Sequence, residues 1–262
     1  MHLIGLITHL PPGAVQVNVD HLRALAPDAR VAVAYGGPRE SFEAIAHEDK
    51  VFVEDPDLRA PPITIQSYNE LIVRLHERFV ADDPSVSFLH LLEYDHIPLR
   101  AGFSAALEAA MDAAGSDFVG KNAVVRNESN WVHYLRYRDD AGFLRFLERH
   151  SVREDLGRMY GCLGSGHLMR RAVVEAFAGI DHYRPIYNEL YLPTLVHHLG
   201  FQVDDAAALG PFYDHVRWHP NQSLDAVEQI RRDGAWFVHP FKDWEALPAL
   251  RNSAPPGDGA AG

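Results

Sequence analysis

Apolar positions in the first hundred residues fall into short unbroken runs separated by helix-like periodicities. His2 to Leu10 carries the first run, Val31 to Tyr35 the second, Val51 to Val53 a third that ends in Glu54 and Asp55, and Phe88 to Leu92 a fourth. Runs of this length are expected of strands buried on both faces of an α/β sheet. Asn18 or Asp20 is placed to cap a helix ending near Leu25. Within Tyr68 to Val80, Leu71, Ile72, Leu75 and Phe79 recur at helical spacing. Pro11-Pro12-Gly13 reads as a turn, and Gly36-Gly37-Pro38 lets the backbone come close to a ligand. The order strand, helix, strand, strand, helix, strand predicts parallel pairing, with strand ends gathered along one edge.

The rest of the chain is less regular. Ala101 to Ala114 is an alanine-rich helix with Phe103, Leu107 and Met111 on one stripe. Asp117 to Val125 reads as a strand and Asn127 to Trp131 as a loop, followed by a charged and aromatic stretch to about Arg158. In Tyr160 to Ala178, Gly161, Gly164 and Gly166 precede a helix expected to begin near His167. Glu189 stands before an apolar helix carrying Leu192, Leu195, Val196 and Leu199, which Gly200 is placed to end. Ala235 to Trp244 sets His239 and Lys242 after a short apolar strand. Residues 251–262 are low in complexity and expected to be disordered.

Composition narrows the classes. The 262 residues, 47% hydrophobic and 23% charged, suit one α/β domain. A net charge of −12 opposes nucleic-acid binding, which needs a basic surface. The single cysteine, Cys162, excludes an internal disulfide. No stretch reaches the roughly 18 to 20 apolar residues of a membrane span, and the amino terminus lacks a basic leader, so a cytoplasmic protein is expected.

The candidate chemistry centres on Glu93-Tyr94-Asp95. Two acids one residue apart at a strand's carboxyl end share one side of it, at the edge where α/β sheets bind ligands. Such a pair also occurs as an ordinary solvated turn. The edge predicts a nucleotide pocket from Thr8, His9, Tyr35, Gly36, Glu93, Tyr94 and Asp95. Trp131 is a candidate platform for an acceptor sugar, though aromatic residues more often pack interiors.

The apolar strand, acid-x-acid tip and immediate turn at Ile97-Pro98 resemble the DxD element of nucleotide-sugar glycosyltransferases of the GT-A fold, with Glu93 in place of the first Asp. Tyr160 to Ala178 resembles the glycine-rich segment that in this family flanks acceptor and donor sugar, which implies roles for Gly164 and Ser165. Tyr187 to Phe201 is similar to the acidic element of inverting members, nearest to branching N-acetylglucosaminyltransferases, and this makes Glu189 the implied catalytic base. His239 and Lys242 resemble the late element that closes over the diphosphate; His219, in Arg217-Trp218-His219-Pro220, is a rival for His239.

The resemblance implies a GT-A-like, Rossmann-like mixed sheet flanked by helices. It implies transfer of a hexosyl or N-acetylhexosaminyl group from a nucleotide diphosphate sugar, UDP by family frequency, to a hydroxyl or amine acceptor. Residues 1–100 would form the nucleotide half and 101–250 the acceptor half. Mn2+ or Mg2+ would be held by Asp95 and His239, while metal independence with Lys242 carrying the charge stays open. A sugar-phosphate nucleotidyltransferase and a non-catalytic sugar- or nucleotide-binding protein are the alternatives.

Overall fold

The computed structural model describes residues 1–53, 68–183 and 186–252. Glu54, Asp55 and residues 253–262 of the low-complexity tail lie outside them, whereas residues 251 and 252, expected to be disordered, end the helix Leu247–Asn252. The four apolar runs become β1 (His2–Thr8), β2 (Arg30–Tyr35), β3 (Lys50–Phe52) and β4 (Phe88–Glu93). Later strands are β5 (Ile97–Pro98), β6 (Phe118–Gly120), β7 (Val124–Val125), β8 (Tyr160–Gly161), β9 (His167–Arg170), β10 (Val203–Asp205) and β11 (Phe237–Val238). Seven of them form one sheet in the order β10-β6-β9-β4-β1-β2-β3. β1 pairs in parallel with β2 and β4, and β2 with β3, as expected from the alternating pattern.

Successive side chains of a strand face opposite ways, so each strand feeds two cores. Leu89 and Leu91 pack with the helices Asn69–Leu75, Arg171–Ala178 and Asn188–His198 on one face. Phe88 and Leu92 join Pro12–Leu25 and Phe103–Ala114 on the other. Leu89, Leu91 and Leu92 are fully buried, and each such side chain contributes about 1.5–3 kcal/mol. The result is the mixed, helix-flanked α/β sheet expected from the sequence.

Three local expectations are corrected. Pro11-Pro12-Gly13 is not a free turn: Pro12 opens the helix Pro12–Leu25, where a missing N–H costs nothing, so neither Asn18 nor Asp20 caps it. No helix begins at His167. His167–Arg170 is β9, antiparallel between β4 and β6, and the helix starts only at Arg171. The predicted strand Asp117 to Val125 splits after Gly120, because β7 leaves the main sheet to pair with β8.

A third core, built from Ile97, Leu99, Val227, Val238, Phe241 and Leu247, anchors the carboxyl-terminal segment against the end of β4. β11 pairs antiparallel with β5, and the Phe241 N–H donates to the Asp95 carbonyl at 2.9 Å. This pairing carries His239 to the acidic tip. Among the described residues, no helix is long and apolar enough to cross a membrane.

Candidate active site

β4 delivers Glu93 at its carboxyl end, and Tyr94 and Asp95 follow in a tight turn closed by the His96 N–H donating to the Glu93 carbonyl at 2.9 Å. Glu93, Asp95 and His239 each offer a ligand atom within 4.8 Å of the others. His239 Nε2 lies 3.7 Å from Glu93 Oε2 and 3.5 Å from Asp95 Oδ1. Its Nδ1 donates to the Arg217 carbonyl at 2.5 Å, which aims Nε2 at the two carboxylates. Burial alone would lower the His239 pKa, but the attraction of the facing Asp95 and Glu93 carboxylates outweighs it and raises the pKa to about 10. The rival His219 instead lies against Trp218, with ring centroids 4.2 Å apart.

These residues suit a divalent cation. Asp95 Oδ1 is buried with no hydrogen-bond partner. Two carboxylates and an imidazole, the last oriented by a backbone carbonyl, form a ligand set of the kind that takes Mg2+ or Mn2+. Lys242 extends its Nζ to 4.0 Å from Asp95 Oδ2, and its side chain is largely exposed. Tyr68, buried, donates its hydroxyl to Glu93 Oε1 and fixes that carboxylate from the other side.

Two adjacent residues join this tip to Glu189. Ser165 Oγ accepts from the Glu93 N–H at 3.4 Å and is hydrogen-bonded to His96 Nδ1 at 3.0 Å. The Gly164 N–H donates to Glu189 Oε1 at 3.0 Å. Glu189 lies in the first turn of Asn188–His198. Burial drives its pKa upward, the Gly164 N–H opposes this, Glu93 adds to it and Arg126 opposes it, leaving a value of about 7. A carboxyl group poised near neutrality can accept a proton. Beside it, Asn188 is buried with neither Oδ1 nor Nδ2 paired.

Glu189 opens into a cleft of ≈440 Å3 whose walls include Arg126, Trp131, His133, Tyr187 and Trp218. His133 stacks on Tyr187 with centroids 3.9 Å apart, and Trp131 meets His133 edge-on at 4.9 Å. Gly161 lies under the Trp131 ring, where a Cβ would collide with it.

The remaining sequence candidates are near the edge but offer less. Thr8 is buried and its Oγ1 accepts from the Leu10 N–H at 3.2 Å. Tyr35 is fully buried, with its hydroxyl 3.4 Å from the His9 carbonyl that accepts from it. Gly36 N–H donates to the Thr8 carbonyl at 2.9 Å, extending the β1–β2 ladder. His9 and Tyr94 meet edge-on at 5.2 Å and remain partly open. Tyr68, Arg126 and Trp218 escaped the sequence reading. Tyr68 and Arg126 carry no local motif, whereas Trp218 adjoins a histidine that the sequence did single out.

No family model matches the chain, and no curated protein matches it. Among solved structures, an active-site mutant of LgtC aligns over 98% of both chains at 14% identity with a TM-score of 0.48. The galactosyltransferase LgtC in complex with donor and acceptor sugar analogs aligns over 98% of both chains at 13% identity and a TM-score of 0.46. The mannosyltransferase Ktr4p from S. cerevisiae aligns over 79% of this chain and 68% of its own, at 7% identity and a TM-score of 0.37. At such distances these likenesses assign no activity, and the functional reading rests on the geometry of the site.

Proposed function

We propose that the protein is a glycosyltransferase that moves a sugar from a nucleotide diphosphate donor, a UDP-sugar by family resemblance, to a hydroxyl or amine acceptor. The observation that carries this reading is the convergence of an acidic, histidine-completed tip at the end of β4 with the carboxyl group of Glu189, to which it is linked by two hydrogen bonds through the adjacent Gly164 and Ser165.

Glu93, Asp95 and His239 would hold Mn2+ or Mg2+, which when bound neutralises charge on a departing diphosphate. Lys242 adds a mobile positive charge on the same side. Glu189 takes the proton of the acceptor hydroxyl or amine as its oxygen or nitrogen bonds to the anomeric carbon. The bond from that carbon to the diphosphate oxygen breaks, its electron pair leaves with the nucleotide, and the sugar configuration inverts. Trp131 supplies a face for the acceptor ring, and the Gly164-Ser165 backbone holds the floor between acceptor and donor. Residues 1–100 and 101–250 are the nucleotide and acceptor halves of this arrangement.

A panel of nucleotide sugars screened by thermal shift tests the reading, because a ligand that binds only the folded state raises Tm by mass action. A UDP-sugar is expected to raise Tm and to release free sugar slowly without acceptor. Binding with no sugar released identifies a binding protein instead, and no shift with any nucleotide sugar rejects the assignment.

A further inference from the structure

Arg126 lines the Glu189 cleft, and among the described residues no carboxylate forms an ion pair with it. Its NH2 group donates to the Asn122 carbonyl at 3.2 Å, and its Nε is buried without a partner. The guanidinium carbon lies 4.8 Å from the Trp131 ring centroid, so the fork is held against an indole rather than free in solvent. Gly161 makes room for both, since a Cβ there would stand 2.8 Å from Arg126 Nε. Arg126 favours the charge of Glu189 without forming an ion pair with it among the described residues. Glu189 Oε1 is committed to the Gly164 N–H, and burial favours the neutral form of Glu189.

A guanidinium fixed by stacking loses little further freedom when it binds an anion, and its fork matches the oxygens of carboxylate and phosphate. The protein as a whole carries a net charge of −12. An anion is therefore repelled by most of the surface and favoured in this cleft. The neighbouring walls are aromatic, Trp131 and the His133–Tyr187 stack, and suit contact with a ring-bearing molecule.

We infer that the molecule received by this cleft is a ring-bearing hydroxyl compound with an anionic substituent, a carboxylate or a phosphate, which Arg126 binds while the hydroxyl faces Glu189. This rests on the acceptor-side reading of the cleft, and it names the charge of the acceptor.

The test is direct titration of the full chain with glucuronate, glucose 6-phosphate and methyl glucoside, followed by tryptophan fluorescence and calorimetry, with UDP titrated separately. One anionic probe is expected to bind about tenfold or more tightly than the neutral sugar, and whichever anion leads identifies the substituent. In Arg126→Met that preference should disappear, and in Arg126→Lys it should survive in part. Should Arg126→Met fail to fold, the wild-type preference must still shrink as salt rises, because screening weakens a charge contact and leaves a stacking contact intact. Equal binding of all three sugars by the wild type, no binding of either anion, or a preference that ignores both Arg126 and salt overturns the inference. Loss of UDP binding with anion selectivity retained would instead reject the transferase reading and keep the anion site.

Discussion

His239 Nε2 stands 3.5 Å from Asp95 Oδ1, an acceptor with no hydrogen-bond partner, while His239 Nδ1 donates to the Arg217 carbonyl. The imidazole is thus aimed before any ligand arrives. Calorimetric titration with Mn2+ is expected to show one site on the wild type and at least about a tenfold loss of affinity in His239→Ala and Asp95→Asn. Asp95→Ala should also weaken UDP binding. Chelation with EDTA should abolish transfer; full activity after exhaustive chelation would move the charge role to protonated His239 and Lys242.

Glu189 sits near pKa 7 because burial disfavours its charge. A base must be ionised, so kcat/KM should rise with pH and level off above about pH 7. The same shift has a stability cost of the opposite sense. Between the ordinary carboxyl value and about 7, the folded state holds a proton that the unfolded state has lost, so this group's contribution to stability falls as pH rises through that window. Glu189→Gln should therefore lose turnover, keep donor affinity and melt higher than wild type at pH 8. Wild-type turnover in that variant would dismiss Glu189 as the base.

Tyr68 is buried and donates its hydroxyl to Glu93 Oε1. Hydrogen bonds to charged groups contribute about 1.5–3 kcal/mol, and partners that orient a ligand residue alter metal affinity about 10- to 100-fold. Tyr68→Phe should lower thermal stability modestly and weaken Mn2+ binding within that range. Unchanged Mn2+ affinity in a folded Tyr68→Phe would show that the bond is structural only.

How much of this was legible in the sequence depended on the range of the interaction that decides each residue. The tip of β4 could be read because an apolar run, two acids and a proline follow one another locally, and His239 because it follows a short apolar strand in a segment that resembles the late element of the GT-A family. β9 could not. His167 to Arg170 runs into the Arg171 helix with no glycine or proline between them, and what makes it a strand is its pairing with β4 and β6. Tyr68 lay in a segment read only for its helical stripe, and its role comes from reaching Glu93 across the chain. Thr8 and Tyr35 were chosen as polar groups at strand ends, yet each uses its hydroxyl on nearby backbone.

Gly164 leaves room for the close approach of Glu189 and has no positive φ. A Cβ at this position would stand 3.2 Å from Glu189 Oε1 and 3.5 Å from Asn188 Nδ2. Gly164→Ala should push the carboxylate off the backbone N–H and remove the interaction that favours its charged form. The expected result is a kcat reduced by about tenfold or more, in line with the sensitivity of catalysis to small misplacements. The plateau in the pH profile should move to higher pH. A profile superimposable on wild type would show that the Gly164 bond does not position the base.

Trp218 is 73% exposed although it lines the cleft, and its ring meets His219 edge-on with centroids 4.2 Å apart. So large an apolar side chain left in water at a cleft mouth gains free energy when a ligand covers it, at roughly 25 cal/mol per Å2 of apolar surface removed. Its neighbour Arg217 supplies the carbonyl that orients His239, so the segment touches both the acidic tip and the Glu189 cleft. Ligand binding should shift tryptophan emission to shorter wavelength, and Trp218→Phe should remove most of that shift while Trp131 remains to report the rest. Trp218→Ala should raise the acceptor KM by about fivefold to tenfold with kcat little changed, since a covering contact acts on ground state and transition state alike. Should kcat fall instead with KM constant, Trp218 would have to act on the orientation of His239 through Arg217.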